Sequence, residues 1–220
     1  MKRKLGLLCM ILGVGLVLGA AYLLMTNQQE DTLAQESSES VMPALVQQIR
    51  EKTEATMPES DTLPEPQWQP ELELNKPVEL LTEEEKKMTE VVIGGIPYIG
   101  YLSIPKLGLE LPIISTWSGS LLKLAPCRYV GTVRGENLVL MAHNYASHFG
   151  SISQLEEGDT VTFTDMDGET TCYEVVGEDI LEPTAVEEMT AGVFDLTLFT
   201  CTYGGKHRIT VYCNQTDPQA

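Results

Sequence analysis

The hydrophobic pattern divides the chain into three unlike parts. Residues 5–25, LGLLCMILGVGLVLGAAYLLM, form an apolar run of 21 residues with no charged side chain. At about 1.5 Å per helical residue, such a run spans roughly the 30 Å hydrocarbon core of a bilayer. From Thr26 to about Glu90 the sequence turns to Glu, Gln, Ser, Thr and Pro, with apolar positions thinly scattered. Leu45, Val46 and Ile49 stand at roughly helical spacing and predict at most a short amphipathic helix over residues 44–55. The rest reads as a solvated spacer, because it cannot bury enough apolar surface to offset its ordering entropy. Beyond Val91 the texture changes again, to short alternating or apolar runs at 98–104, 111–114, 137–142, 160–164, 171–176, 196–201 and 208–213. Each is rich in Val, Ile, Leu, Thr, Tyr or Phe and predicts a strand. Leu107-Gly108-Leu109, Asp167-Gly168 and Gly204-Gly205 break the runs, and Asp167-Gly168 reads as a hairpin turn. Two short helices are expected near 118–124 and 150–155. The fold class is mainly β, a barrel or sandwich of about 125 residues.

Charge sharpens this division. The 220 residues carry 14 Lys+Arg against 32 Asp+Glu, a net charge of −18, which argues against nucleic acid as a partner. Lys2, Arg3 and Lys4 precede the apolar run and no basic cluster follows it, so the N-terminus is expected in the cytoplasm and all that follows Met25 outside. A cleaved signal peptide competes, since Gly19-Ala20-Ala21 offers small residues, but Tyr22-Leu23-Leu24-Met25 carries the apolar run past that point. The expected organisation is a basic N-terminus at 1–4, a transmembrane anchor at 5–25, an acidic spacer at 26–92 and a β domain at 93–217.

Three residues carry the chemistry. Cys201 ends a strand beside the Gly204-Gly205 turn, where a sulfur can be exposed yet held rigidly. Arg208 opens the next strand, and pairing of the two strands would bring a fixed cation to the thiol, favouring thiolate and offering a donor to an oxyanion. His143 closes the strand at 137–142, placed to exchange protons near neutral pH. His148 is its rival, in a loop and less firmly placed. His207 adjoins Arg208, and alternation along a strand leaves only one of the two facing Cys201; Arg208 is expected there and His207 toward solvent. The five cysteines form no CxxC pair and the three histidines no zinc spacing. Cys127, Cys172 and Cys213 read as packing residues, with a Cys172–Cys213 disulfide conceivable. Trp117 and Tyr145 could line a peptide groove, although an aromatic near a strand end is more often there for packing.

Thr197-Leu198-Phe199-Thr200-Cys201 resembles the TLxTC signature of sortases, the membrane-anchored cysteine transpeptidases of Gram-positive bacteria. Ala142-His143-Asn144 with Phe149-Gly150 resembles the family's histidine strand, Arg208 falls where the family has its essential arginine, and residues 100–113 resemble its opening strands. The resemblance covers about residues 93–217. It implies a closed β-barrel of about eight strands with short helices, and Cys201, His143 and Arg208 converging at one mouth of it. It further implies cleavage of an LPxTG-like sorting signal on secreted proteins through a thioacyl-enzyme, and transfer to an amine of a cell-wall precursor. No cofactor is required; some relatives use calcium, and Glu178, Asp179, Glu187 and Glu188 are the acids near the corresponding loop.

The sequence departs from the family in places. Ala142 stands where many relatives have Gly, and the turn between Cys201 and Arg208 is short. Glu65-Pro66-Gln67-Trp68 only loosely approximates the lid motif of pilin-polymerising members, and the short chain argues against that subclass. Two other readings remain open: a hydrolytic thiol peptidase, and a peptide-binding module that has kept the fold without the activity.

Overall fold

The computed structural model describes residues 2–56 and 87–217. After a long helix, α1 (Lys2–Thr56), come β1 (Val91–Ile93), β2 (Ile96–Ile104), β3 (Leu109–Ile114), β4 (Cys127–Val130), β5 (Leu138–Met141), β6 (Thr160–Asp165), β7 (Thr170–Leu181), α2 (Val186–Thr190), β8 (Leu196–Cys201) and β9 (Arg208–Thr216). The strands are ordered β1-β2-β3-β4-β5-β8-β9-β7-β6, and β6 pairs back onto β2. Eight strands therefore close a barrel, with β1 as a spur on β2. Closure pairs the edges that an open sheet would expose.

Strand alternation sorts the side chains into two sets. Leu138 and Leu140 of β5, Leu196 and Leu198 of β8, and Val211 and Cys213 of β9 belong to the buried core. Val139 and Phe199 lie on the opposite face and pack with Met189 of α2. The expected hairpin at Asp167-Gly168 joins β6 to β7. Asp165 Oδ1 accepts from the backbone N–H of Asp167 at 2.8 Å and of Glu169 at 3.0 Å, and Gly168 takes φ +86°. Two short strands were not legible in the pattern. β1 has three residues, and β4 has four, following a proline and meeting β3 at one residue pair, Ile114 with Cys127. The helices expected at 118–124 and 150–155 are single 3-10 turns, Leu121–Lys123 and Ile152–Gln154.

The acidic segment departs further from expectation. Helix runs unbroken through Pro43 to Thr56, well beyond a short helix at 44–55. Ala34, Ser38, Leu45 and Ile49 are buried, spaced by four or seven along one stripe. Leu45 and Ile49 pack with Tyr98, Ile114, Cys127 and Met166 on the outside of the barrel. Polar ties flank the stripe. Ser38 Oγ donates to Leu124 O at 3.2 Å, and Lys52 pairs with Asp167, which also accepts from Thr89 Oγ1 at 2.8 Å. Glu and Gln are good helix formers, and a narrow stripe that includes Ala and Ser is hard to see in a polar composition. Residues 65–68, the loose lid motif, lie outside the described residues.

The disulfide considered from sequence does not form. Cys172 stands opposite Thr216 and Cys213 opposite Val175, three residues apart along each strand, or roughly 10 Å. That exceeds the reach of a disulfide. Cys127, Cys172, Cys201 and Cys213 are free thiols.

Leu45→Ala should weaken docking of α1 by about 2–5 kcal/mol, the usual range for truncating a buried leucine. Hydrogen exchange would then quicken in α1 from Ala34 onward while β8 keeps its protection. Equal loss of protection in β8 would show that the helix is integral to the barrel core.

Candidate active site

β5 and β8 run parallel in a constant register, from Leu138 opposite Leu196 to Met141 opposite Phe199. Ala142 N extends the ladder by donating to Phe199 O at 3.2 Å. Carried two residues past Met141, the same register sets His143 abreast of Cys201. On the other side β8 and β9 are antiparallel, with Cys201 directly opposite Arg208. Cys201 and Arg208 thus stand opposite each other at the ends of β8 and β9, and His143 follows two residues past the end of β5, in line with them by that register. Each is partly buried, neither sealed in the interior nor fully exposed. Their parity is that of Val139 and Phe199, so they project from the outer wall of the barrel at the strand ends.

Local bonds hold this end together. Thr200, 1% exposed, donates its Oγ1 hydrogen to Ala142 O at 2.8 Å and clamps the end of β5 to β8 just before His143. The turn after Cys201 is closed by Thr202 N to His207 O at 3.0 Å, His207 N to Thr202 Oγ1 at 3.1 Å and Gly205 N to Thr202 O at 2.8 Å. Gly204 and Gly205 have φ of +81° and +71°, conformations that side chains other than glycine rarely take. Arg208 Nη1 donates to Gly205 O at 3.1 Å and His207 O at 3.0 Å, so the turn orients the guanidinium. His207 points to Glu182, Nε2 to Oε1 at 3.3 Å, with its side chain 43% exposed.

The surroundings of His143 differ from expectation. Its ring lies 4.8 Å from that of Tyr145, which is buried rather than lining an open groove. Tyr145 donates its hydroxyl hydrogen to Glu30 Oε2 at 3.1 Å, and Glu30 Oε1 accepts from Lys123 Nζ at 3.0 Å. Burial pulls the His143 imidazole below its usual pKa, Glu30 pushes it back up and Lys123 lowers it. Burial and the Glu30 bond push Tyr145 up to about 12, so its hydroxyl remains a donor at neutral pH. His148, expected in a loose loop, is fully buried, its ring 5.6 Å from that of Tyr145. Burial, aided by His143, pulls its pKa down to about 4. Trp117 is half exposed, 5.7 Å from the ring of Tyr129, which meets Phe199 edge-on at 5.4 Å. An aromatic row thereby flanks the strand that ends in Cys201. Among the described residues, no three metal-binding side chains converge on one site.

The sortase domain family matches residues 102–216, just over half of the chain. The chain belongs to the sortase family, the cysteine transpeptidases. Among solved structures, sortase C from Streptococcus pneumoniae is 23% identical with a TM-score of 0.53, over 84% of this chain and 98% of that one. Sortase C from Clostridium perfringens is 20% identical with a TM-score of 0.50, over 90% and 99%. Sortase C1 from Streptococcus suis is 29% identical with a TM-score of 0.48, over 56% and 75%. The first two establish likeness of fold. None of the curated proteins matches the sequence.

His148 supplies a pH test. Its folded pKa lies below the unfolded value of about 6.5, so the unfolded chain binds the extra proton between roughly pH 6.5 and 4. Its contribution is complete above pH 6.5 and is lost as the pH falls toward 4, by roughly 3 kcal/mol. Urea titrations should show His148→Leu losing less stability than wild type over this window. Parallel losses in the two proteins would contradict the burial of a neutral imidazole.

Proposed function

We propose that Cys201, His143 and Arg208 carry out a two-step acyl transfer on an LPxTG-like sorting signal of secreted proteins. The observation that supports it best is the pairing of Cys201 with Arg208 across β8 and β9, together with the β5–β8 register that, carried two residues past Met141, brings His143 alongside. The Cys201 thiolate attacks the Thr–Gly carbonyl, and the Arg208 guanidinium stabilises the oxyanion. Arg208 Nη1 is engaged by the turn carbonyls, which presets the fork for its remaining N–H groups. The C–N bond then breaks, His143 as imidazolium gives its proton to the departing glycine amine, and a thioacyl-enzyme remains. An amine of a cell-wall precursor enters, surrenders a proton to His143 and forms the new amide, releasing the thiolate. Trp117, half exposed near this end of the strands, is the aromatic available to the bound peptide.

Residues 5–25 lie in a helix long and apolar enough to serve as a membrane anchor. Lys2, Arg3 and Lys4 on its N-terminal side favour a cytoplasmic start and an extracellular barrel. The acceptor would then be met at the outer membrane face. A pilin lysine is the alternative acceptor, and water in its place would make the protein a thiol peptidase.

Full-length protein in detergent should cleave a fluorogenic LPxTG-type peptide, and added glycine peptide should divert product from acid to amide. Cys201→Ala should be inactive, and His143→Ala and Arg208→Ala should each lose at least about 10²-fold in kcat. Turnover by Cys201→Ala, or a loss below roughly tenfold in Arg208→Ala, would overturn the corresponding assignment.

A further inference from the structure

We propose that the anchor helix itself supplies a positioning residue to the active site, with Glu30 holding Tyr145 and, through it, the ring of His143 in place for proton transfer. The inference rests on the reading of His143 as the acid–base.

The loop after β5 hangs from two adjacent residues of α1. Tyr145 donates to Glu30 at 3.1 Å, and two residues on Ser147 N donates to Asp31 Oδ1 at 3.0 Å, with Ser147 Oγ bonded to the same aspartate. Tyr145 is 6% exposed, and a buried hydroxyl without a partner is costly, so Glu30 fixes where this ring sits. That ring lies tilted by 32° against His143, limiting the positions the imidazole can take. Residues 143–149 are therefore ordered from both sides, by the Thr200 clamp at one end and by α1 at the other.

Charge points the same way. Around His143 stand Glu30 from α1, Lys123 from the 3-10 turn, Tyr145 and His148 from its own loop, and Cys201 and Arg208 from the adjoining strands; Asp31 acts on Tyr145 and His148. Glu30 favours the imidazolium, whereas burial and Lys123 oppose it. The Glu30–Lys123 pair is half exposed and contributes little to stability. Its carboxylate nevertheless faces a cation that would otherwise act on His143 uncompensated. Glu30 also lies five residues beyond Met25, about 7.5 Å along the same continuous helix, where the apolar run ends. Membrane tether and proton-transfer geometry share one rigid element.

The test uses full-length protein in detergent micelles, with the His143 titration followed by NMR of labelled imidazoles and kcat and KM measured against pH. Glu30→Gln should lower kcat roughly three- to tenfold at neutral pH with KM little changed, well short of loss of the acid itself. Its His143 titration and the alkaline limb of its kcat profile should both move to lower pH. Lys123→Gln should move the titration the opposite way, a reversal that a merely structural role would not give. Tyr145→Phe should lower kcat, and combined with Glu30→Gln it should add little. Unmoved titration and pH profile in Glu30→Gln, with only a lower melting temperature, would overturn the proposal. If wild type processes no sorting peptide, the acyl-transfer reading fails by itself; the Glu30→Gln titration then still decides whether α1 is coupled to His143.

Discussion

One buried hydroxyl and one strand register hold the site together. β5 and β8 come from distant parts of the chain and pair in parallel, so the excursion between them must return in one register. The Thr200 Oγ1 bond to Ala142 O sits where the ladder gives out, one residue before His143 and one before Cys201. Such a bond contributes only about 1 kcal/mol net to stability. Its consequence is geometric. It keeps the end of β5 from fraying away from β8 just before His143 and Cys201. A slip of one residue would turn His143 to the opposite face of the sheet.

The division of faces lets a small barrel hold Cys201 rigidly and still leave it partly open. Leu196 and Leu198 secure β8 from inside, while Phe199 and then Cys201 face outward. Cys201 thus rides on a strand buried along nearly its whole length, yet its own position is partly open. Arg208 gains the same rigidity from the glycine turn behind it. Cys127 and Cys213 show the contrast: burial pushes both thiols up to about 12, which keeps them protonated. The long helix adds a second layer, covering the barrel near Tyr98 and Ile114 and reaching the histidine loop through Glu30 and Asp31.

What the sequence disclosed followed period. Strands such as Leu196–Cys201 and Arg208–Thr216 announced themselves by apolar and β-branched residues; parity allowed only one of Arg208 and His207 to face Cys201, and the permanent charge of the guanidinium chose between them. The strand at Cys127–Val130 escaped because its four residues alternate too briefly to stand out. Docking of α1 was hidden because the buried stripe begins with Ala34 and Ser38, which carry little hydrophobic signal amid Glu and Gln. Packing was the commoner reading for Tyr145, but nothing near it in sequence foretells its hydrogen-bond partner, which lies 115 residues earlier. His148 looked loose because it follows a strand end, whereas the chain folds back there and buries it.

The central claim is the adjacency of positions 143, 201 and 208, and a crosslink tests it most directly. His143→Cys places a second sulfur on the strand beside Cys201, where neighbouring backbones are about 4.8 Å apart, within the Cα separations that disulfides tolerate. Mild oxidation followed by peptide mass spectrometry should find the introduced sulfur bonded to Cys201 within one chain. A product in which position 143 stays reduced, or pairs with Cys172 or Cys213 instead, would contradict the account.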